Sequence, residues 1–213
     1  MKTLVLVNPA HQLKPNLATV LKLPAASLAY LILRQQDAVG CVAFDEAPRM
    51  SVPQRTRRNH LESIIQALSV TDPAEKTDLY RVLRTAAESQ PRRGMMILIS
   101  DLLTERPGLF KGLRLLRSRG HDVMVFHVLD DDEVDFPFNG SMRFEGLETE
   151  DHLSCNPRAL REGYLAALGQ YLEEVRRGCV RNNADYAMLR TSQPLDAALA
   201  AYLSNRLGMH HRN

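Results

Sequence analysis

Short apolar runs alternate along the chain with longer segments in which apolar residues recur every three or four positions. The runs are TLVLV (3–7), AVGCVAF (38–44), GMMILIS (94–100), HDVMVFHVLD (121–130) and DYAMLRT (185–191). Runs of this length, rich in β-branched residues and closed by turn residues, are typical of buried parallel strands. Their alternation with helical segments predicts an α/β fold, a doubly wound, mostly parallel sheet with helices on both faces.

The helical segments are defined by their period and by the residues at their ends. Pro24 is expected to kink the first helix, Thr77 or Asp78 is placed to cap the third, and Gly120 closes the fourth. The predicted helices cover residues 17–33, 60–68, 77–89, 108–120, a long segment after Pro157, and 194–206.

Two segments do not fit the alternation and are expected at sheet edges. APRMSVP (47–53) is predicted to be a short hairpin partner of the second strand, because its two prolines are tolerable only at an edge. SMRFEGL (141–147) alternates in the manner of an edge strand. Between them in the chain, DDDEVDFPFNG (130–140) lacks the Gly and terminal Glu spacing of an EF-hand loop. We interpret it as a solvated exit from the fourth strand.

Composition and charge narrow the class of protein. With 213 residues, 45% of them apolar, the chain can bury one large core, and we expect a single domain over residues 1–213. The 27 basic and 25 acidic side chains leave a net charge of +2, too balanced for a dedicated binder of nucleic acid or of anionic membranes. We therefore expect neither nucleic acid nor an anionic membrane as a partner.

Cysteine usage and the first residues bear on the compartment. Cys41, Cys155 and Cys179 are odd in number, widely spaced and without a CxxC pair, so we interpret them as reduced core thiols. The first apolar run ends at Asn8-Pro9, too early for a signal-peptide core or a membrane span. We therefore expect a cytoplasmic protein with no membrane span in this chain.

Polar residues follow the predicted strands directly, where an open α/β sheet collects its ligands. They are Asn8 to Gln12 after the first strand, Asp45 after the second, Thr77 and Asp78 before a helix, and Ser100 and Asp101 after the third. Oxygen atoms from three such loops are ligands that magnesium takes in proteins. A second interpretation is helix capping, because Thr77 and Asp101 both precede helical stretches.

Signals of catalysis are few. The sequence contains no GxSxG elbow, P-loop, GxGxxG or HExxH motif. Asp45 and Asp101 could meet at the strand ends as acid and base, but nothing marks a nucleophile. His11 has no second His or Cys at ligand spacing, and His121 and His127 are expected at a strand edge and in the core rather than in catalysis.

Several stretches together resemble the bacterial family known as domain of unknown function 58, in that family's order over nearly the whole chain. They are LAYLILRQQDAVGCVAFDE, KTDLYRVL, ILISDLL, LRSRGHDVMVFHVLDDDEVDFPF, RFEGLE, PRALREGYLAALGQYLEEVRRGC and DYAMLRTSQPLDAALAAYL. The resemblance covers the carboxyl-terminal part of the family, which is similar to the von Willebrand factor A domain. The metal-ion-dependent adhesion site of that domain uses an Asp-x-Ser-x-Ser loop, a Thr on a second loop and an Asp on a third.

Carried over residue by residue, the resemblance places the family's threonine on Thr77 and its third-loop aspartate on Asp101. Where Asp-x-Ser-x-Ser is expected, this chain has Asn8-Pro9-Ala10-His11-Gln12, so the charged ligand and both hydroxyls are missing. Magnesium prefers a near-octahedral shell of carboxylate and water, and one carboxylate holds it poorly. The resemblance thus implies a vestigial metal site at Thr77 and Asp101, with no resident cofactor and at most weak magnesium binding.

The resemblance further implies a non-enzymatic protein-interaction module whose binding face is formed by the strand ends. The residues expected on that face are Asn8, Ala10, Gln12, Asp45, Asp78 and Ser100. Similar family members are often found with AAA+ ATPases of the MoxR type, which implies such an ATPase as partner in a chaperone-like system. The alternative is a metal-assisted hydrolase in which Asp45, Asp101 and an amide of Asn8 hold the ion. Two close carboxylates facing an open cleft would favour the hydrolase.

Overall fold

The computed structural model describes residues 2–8, 15–70, 77–140, 142–145, 152–155 and 157–193. The strands are β1 (Lys2–Val7), β2 (Ala38–Phe44), β3 (Pro48–Arg55), β4 (Met95–Ser100), β5 (Asp122–Leu129), β6 (Met142–Glu145), β7 (His152–Cys155) and β8 (Ala184–Arg190). The helices are α1 (Pro15–Arg34), α2 (His60–Val70), α3 (Leu79–Ser89), α4 (Arg106–Ser118), α5 (Asp131–Asp135) and α6 (Pro157–Arg181). The predicted helix over 194–206 lies outside the described residues.

Six strands form one sheet in the order β3-β2-β1-β4-β5-β8. β1 pairs in parallel with β2 and β4, and β5 pairs in parallel with β4 and β8. β3 is antiparallel to β2 at one edge, as its prolines predicted. The mostly parallel sheet is thus confirmed, with β4 in its middle. The winding reverses between β1 and β4, so the carboxyl ends of these two strands flank a topological switch point.

Buried apolar side chains cover both faces of the sheet, which confirms the helices predicted there. On one face, Leu21, Leu28 and Leu33 of α1 and Ile64 of α2 pack against alternate strand residues such as Val5. The other face is covered by α3, α4 and α6; Leu83, Leu113 and Val175 represent these helices in a cluster that also contains Leu4 and Leu98. A strand buried on both sides is apolar at most of its positions, which is why β1 and β4 were visible as nearly continuous apolar runs.

The helix ends agree with the sequence in two places. Asp78 is the N-cap of α3, and its carboxylate accepts the N–H of Arg81 at 2.9 Å, so the capping role predicted for Thr77 or Asp78 belongs to Asp78. Gly120 follows α4 at φ +79°, a left-handed conformation that favours glycine. Pro24 lies inside α1.

Two predictions for the segment after β5 were incomplete. The described part of SMRFEGL, β6, is a strand at an edge as predicted, but it does not join the main sheet: it pairs antiparallel with β7 in a separate two-stranded sheet. The acidic run is not a plain solvated exit, because Asp130 caps α5 in a capping box with Glu133. Asp131 and Asp135 of that helix both form ion pairs with Arg190 at the end of β8. The acidic run therefore links the end of β5 to the end of β8.

Burial makes the described thiols unreactive. Cys41 and Cys179 are buried, and desolvation raises the pKa of each to about 12, so both stay protonated at neutral pH. Over the described ranges, no helix combines the length and the apolar character that a membrane crossing requires.

Candidate functional site at the strand ends

A row of polar side chains crosses the middle of the sheet at its carboxyl edge. Val7 pairs with Ile99, and Ser100 pairs with His127, so Asn8, Ser100 and His127 stand side by side on three adjacent strands. Because side chains alternate along a strand, all three point to the face that α3, α4 and α6 cover. All three are buried. The apolar layer on this face therefore ends in a polar rim at the switch point.

Thr77 is tied to both strands at that point. The side-chain amide of Asn8 donates to Thr77 Oγ1 at 3.0 Å, and Asn8 is itself anchored by a backbone N–H bond to the carbonyl of Ile99 at 3.0 Å. On the other side, the hydroxyl of Thr104 donates to the Thr77 carbonyl at 3.2 Å. The loop before α3 thus joins the end of β1 to the turn after β4.

Asp101 begins that turn and is 2% exposed. Its Oδ1 accepts the N–H of Leu103 at 3.2 Å, and Ser100 Oγ accepts the N–H of Leu102 at 3.0 Å. Leu102 is held at φ +54°, a conformation that leucine adopts only when its surroundings impose it. The interpretation of Asp101 as a helix cap is wrong, because α4 starts five residues later with Glu105 at its N-cap.

His127 supports the turn from beneath. Its Nε2 lies 2.8 Å from the Asp101 carbonyl, which can only accept, so Nε2 carries the proton and donates. Its Nδ1 then accepts from the hydroxyl of Tyr186 at 2.9 Å. Burial lowers the pKa of His127 to about 4 despite this backbone bond, so the imidazole is neutral at physiological pH. The prediction that His127 is a core residue is confirmed, with a supporting role added.

Tyr171 of α6 provides a second support. Its hydroxyl donates to the carbonyl of Leu102 at 2.5 Å. Burial raises the pKa of Tyr171 to about 12, helped by the charge of Asp101, so the phenol keeps the proton that it donates. The guanidinium of Arg106 lies 5.7 Å from the ring centroid. The turn over residues 101–104 is therefore fixed at several backbone groups, while the side chain of Leu103 remains 49% exposed.

Asp45 lies at the same edge of the sheet but belongs to a different arrangement. β1 separates its strand from β4, which puts the two strands about 10 Å apart at the usual strand spacing. Asp45 Oδ1 accepts the N–H of Ala47 at 3.2 Å, and Oδ2 forms an ion pair with Arg49. Asp45 and Asp101 thus do not meet as the acid–base pair that the sequence allowed.

Of the residues predicted for the metal site and the binding face, the structure brings four together and separates two. Asn8, Thr77, Ser100 and Asp101 converge at the switch point, whereas Asp45 closes the β2–β3 turn and Asp78 caps α3. Ala10 and Gln12 lie outside the described residues.

The described donor atoms fit a magnesium ion poorly. The Asn8 amide uses one of the two lone pairs of Thr77 Oγ1 and brings a hydrogen-bond donor, not an oxygen ligand, next to that atom. Asp101 supplies the one carboxylate among the converging residues, and magnesium favours more. Within the described ranges, no three His, Cys, Asp or Glu side chains group so that they could hold a metal ion. No chemistry is therefore assigned to a metal at this site.

Sequence reasoning missed the residues that support the turn from below. Tyr171, Tyr186 and Thr104 were not singled out, because each contacts a residue at least 27 positions away. His127 carried a usable signal: a histidine inside an otherwise apolar, buried strand must satisfy its ring nitrogens. Its partner could not be named without the register of β4 and β5.

Relatives in sequence are mycobacterial proteins. The chain is 26% identical over 189 residues to an uncharacterized protein of Mycobacterium tuberculosis, an alignment that covers 85% of this chain and 58% of the relative. It is also 26% identical over 163 residues to an uncharacterized protein of Mycobacterium avium, covering 73% of this chain and 93% of the other. The chain thus spans little more than half the length of the first relative.

Solved structures share the fold at low identity. A conserved hypothetical protein BatB from Bacteroides thetaiotaomicron superposes with a TM-score of 0.55 at 13% identity over 100% of both chains. An aerotolerance-related membrane protein from Bacteroides fragilis gives 0.58 at 16% identity, covering 94% and 96% of the two chains. The VWA domain of SpRpn10 gives 0.50 at 8% identity, covering 91% and 90%. The fold is therefore von Willebrand A-like.

The match that assigns a family covers most of the sequence. Residues 9–172 match the family described as "Protein of unknown function DUF58", a range that contains the turn after β4 and its supports on β5 and α6. The chain accordingly belongs to the DUF58 family, with a von Willebrand A-like fold.

Proposed function

We propose that this chain is a non-enzymatic protein-interaction module of the von Willebrand A type, with a degenerate metal-ion-dependent adhesion site. Its docking surface is centred on the turn over residues 101–104. The observation that carries the proposal is the combination at Leu103: an exposed apolar side chain on a backbone that its neighbours hold in place.

Preorganisation is what makes such a turn suitable for docking. A flexible loop loses conformational freedom when it binds, and that loss reduces affinity. Here the carbonyls of Asp101 and Leu102 are held by His127 and Tyr171, so little further ordering is required. An apolar side chain presented in this way has the properties of an interface anchor.

The same geometry argues against the hydrolase alternative. That alternative needs two carboxylates close together, but Asp45 is engaged by Arg49 on the far side of β1. The hydroxyl of Tyr186 donates to His127 Nδ1, but this imidazole is fully buried and burial lowers its pKa to about 4, so it is a weak base inside the scaffold rather than a base at an open site.

The proposed partner is a MoxR-type AAA+ ATPase in a chaperone-like system, and the proposed compartment is the cytoplasm. Support for the partner is the family resemblance, since DUF58 members often occur with such ATPases. The buried thiols of Cys41 and Cys179 are compatible with a reducing compartment. The match covers 58% of the Mycobacterium tuberculosis relative, so the partner and the compartment are proposed here and are not inferred from that protein.

A direct binding assay with the purified MoxR-type ATPase of the same organism tests this proposal. Leu103→Ser is compared with Ile65→Ser, a matched loss of an exposed apolar side chain (49% and 45%) on the opposite face of the sheet. We expect binding in the presence of EDTA, weakened at least about tenfold by Leu103→Ser and unchanged by Ile65→Ser.

Two outcomes would contradict the proposal. Equal binding by both variants would remove the turn from the interface, and binding abolished by EDTA would show that a metal is required after all. Turnover of esters, phosphates or nucleotides that is lost in Asp101→Ala but kept in Thr77→Ala would instead revive the hydrolase.

A further inference from the structure

A groove runs between α4 and α6 on the outside of the second helical layer. The two helices are matched in register: Arg106 forms an ion pair with Glu174, and one turn further Phe110 lies against Gly178. Another turn on, Arg114 of α4 and Arg181 of α6 both line the groove, with Arg177 on the same rim as Arg181. Residues four apart lie on one side of a helix, so each rim is a continuous stripe.

Gly178 gives the groove its floor. A Cβ atom at this position would lie 2.0 Å from Cε1 of Phe110, so the helix backbone and the aromatic ring touch directly. The half-buried ring therefore lies between the helices and contributes apolar surface to the groove. Such a floor suits the hydrocarbon part of a bound side chain.

Positive charge exceeds negative charge along the rims. Glu174 is paired with Arg106, and Glu173 is shared by Arg176 and Arg177. Among the described residues, no carboxylate pairs with either of the two remaining arginines, Arg114 and Arg181. Two guanidinium groups on facing rims without a counter-charge repel each other unless an anion lies between them.

We propose that this groove binds an acidic peptide segment of a partner protein, with carboxylates between Arg114 and Arg181 and an aliphatic side chain on Phe110. The groove extends over about 12 Å, from Arg106 to Arg114 at 1.5 Å per helical residue, which suits a chain better than one small anion. Arginine pairs with carboxylates through two parallel hydrogen bonds. Two arginines without a counter-charge suit the few carboxylates of a peptide better than the dense phosphates of nucleic acid.

This surface is separate from the turn over residues 101–104, so either proposal can fail alone. The test measures binding of a fluorescein-labelled peptide of about twelve residues with glutamate at every fourth position, a helix of about 18 Å. A peptide with glutamine in place of glutamate, an oligothymidine and tripolyphosphate are measured alongside. The groove variant is Arg114→Glu with Arg181→Glu, and the matched control is Arg57→Glu with Arg92→Glu, two exposed arginines outside the groove.

The acidic peptide is expected to bind the parent and the control, and to lose at least about tenfold in affinity in the groove variant. Hydrogen exchange on the parent should show peptide-dependent protection in α4 and in the second half of α6. The proposal is overturned if the peptide does not bind, if the control loses as much, or if protection appears elsewhere. Tighter, groove-dependent binding of the oligothymidine or of tripolyphosphate would replace the peptide with a phosphate ligand.

Discussion

Asp45 and Asp101 are two buried aspartates at the ends of parallel strands of one sheet, and the chain uses them differently. Asp45 forms an ion pair with Arg49 and accepts the N–H of Ala47, so both of its oxygens are used within the β2–β3 turn. Asp101 accepts the N–H of Leu103, and its backbone carbonyl is held from below by His127. The first carboxylate stabilises a hairpin, whereas the second shapes a turn that presents an exposed side chain.

The difference shows that position at a strand end does not by itself make a site. Both residues satisfy the rule that ligands gather at carboxyl ends, but only Asp101 flanks the switch point between β1 and β4. At the switch point, the loop before α3 contacts both Asn8 and Thr104, because β1 and β4 are neighbours and no strand lies between them. At Asp45 the antiparallel β3 returns at once and supplies an arginine to neutralise the charge.

The largest effect is expected from His127→Leu. The substitution leaves the Asp101 carbonyl and the Tyr186 hydroxyl buried without their partner, which should lower the free energy of unfolding by about 3 kcal/mol. It should also accelerate hydrogen exchange at Leu102 and Leu103. Urea unfolding and exchange measured by mass spectrometry test both effects.

The matched control is His60→Leu on the opposite helical layer. His60 is also buried, but it makes one ring contact, with the Val39 carbonyl at 3.1 Å, so a loss of about 1 kcal/mol is expected. Exchange at Leu102 and Leu103 should not change. If both variants loosened the turn equally, the support assigned to His127 would be wrong.

Lowering the pH should reduce the free energy of unfolding through His127, which holds the turn at Asp101. Burial holds the pKa of His127 at about 4 in the folded protein, against 6.5 for the free side chain, so the unfolded state takes up a proton first as pH falls. The contribution of His127 to the free energy of unfolding is fully present above pH 6.5. It is lost as the pH falls from about 6.5 to 4, and the loss is about 3 kcal/mol. The measured quantity is the difference between the pH profiles of unfolding for the parent and His127→Gln, which cannot titrate.

If the two pH profiles did not differ in that window, His127 would bind its proton as readily in the folded protein as in the unfolded one, and the account of a buried neutral imidazole would be wrong. Carbon-13 chemical shifts of the His127 ring, followed from pH 8 to about 4, give an independent reading. They should report a neutral ring until the lower end of the range.

The smallest effect is expected from Asp45→Asn. Arg49 is 60% exposed, so solvent screens its ion pair with Asp45, and a loss of about 1 kcal/mol is expected. Exchange at Leu103 should be unaffected, and the heat of magnesium titration should not change. A metal-dependent effect of this substitution would instead place Asp45 in a shared site with Asp101.

Much of the scaffold could be predicted because burial on both sides imposes a visible pattern. The nearly continuous apolar runs of β1 and β4, and their endings at Asn8 and Ser100, located the edge at which the site lies. β7 was missed because HLSC is four residues long and has no apolar run. α5 was missed although its capping box, an Asp followed three residues later by Glu133, can be read from the sequence.

The internal structure of the turn could not be predicted from the sequence. Leucine at a positive φ is rare, so nothing in ILISDLL indicated that Leu102 would adopt it. The bonds that impose it come from β5 and α6, and their partners depend on strand register and helix packing. The assignment of Asp101 as a helix cap failed for the same reason, since α4 begins only after the turn is complete.

Calorimetric titration of magnesium into two proteins tests the central claim most directly. The claim is that the strand-end site at Asp101 is a docking surface that binds without a metal. The parent is compared with the triple variant Asn8→Asp, Ala10→Ser and Gln12→Ser, which adds one carboxylate and two hydroxyls. We predict little or no heat from the parent and an affinity at least about tenfold higher in the triple variant, lost again when Asp101→Asn is added. Tight binding by the parent, or a folded triple variant that gains nothing, would contradict the account.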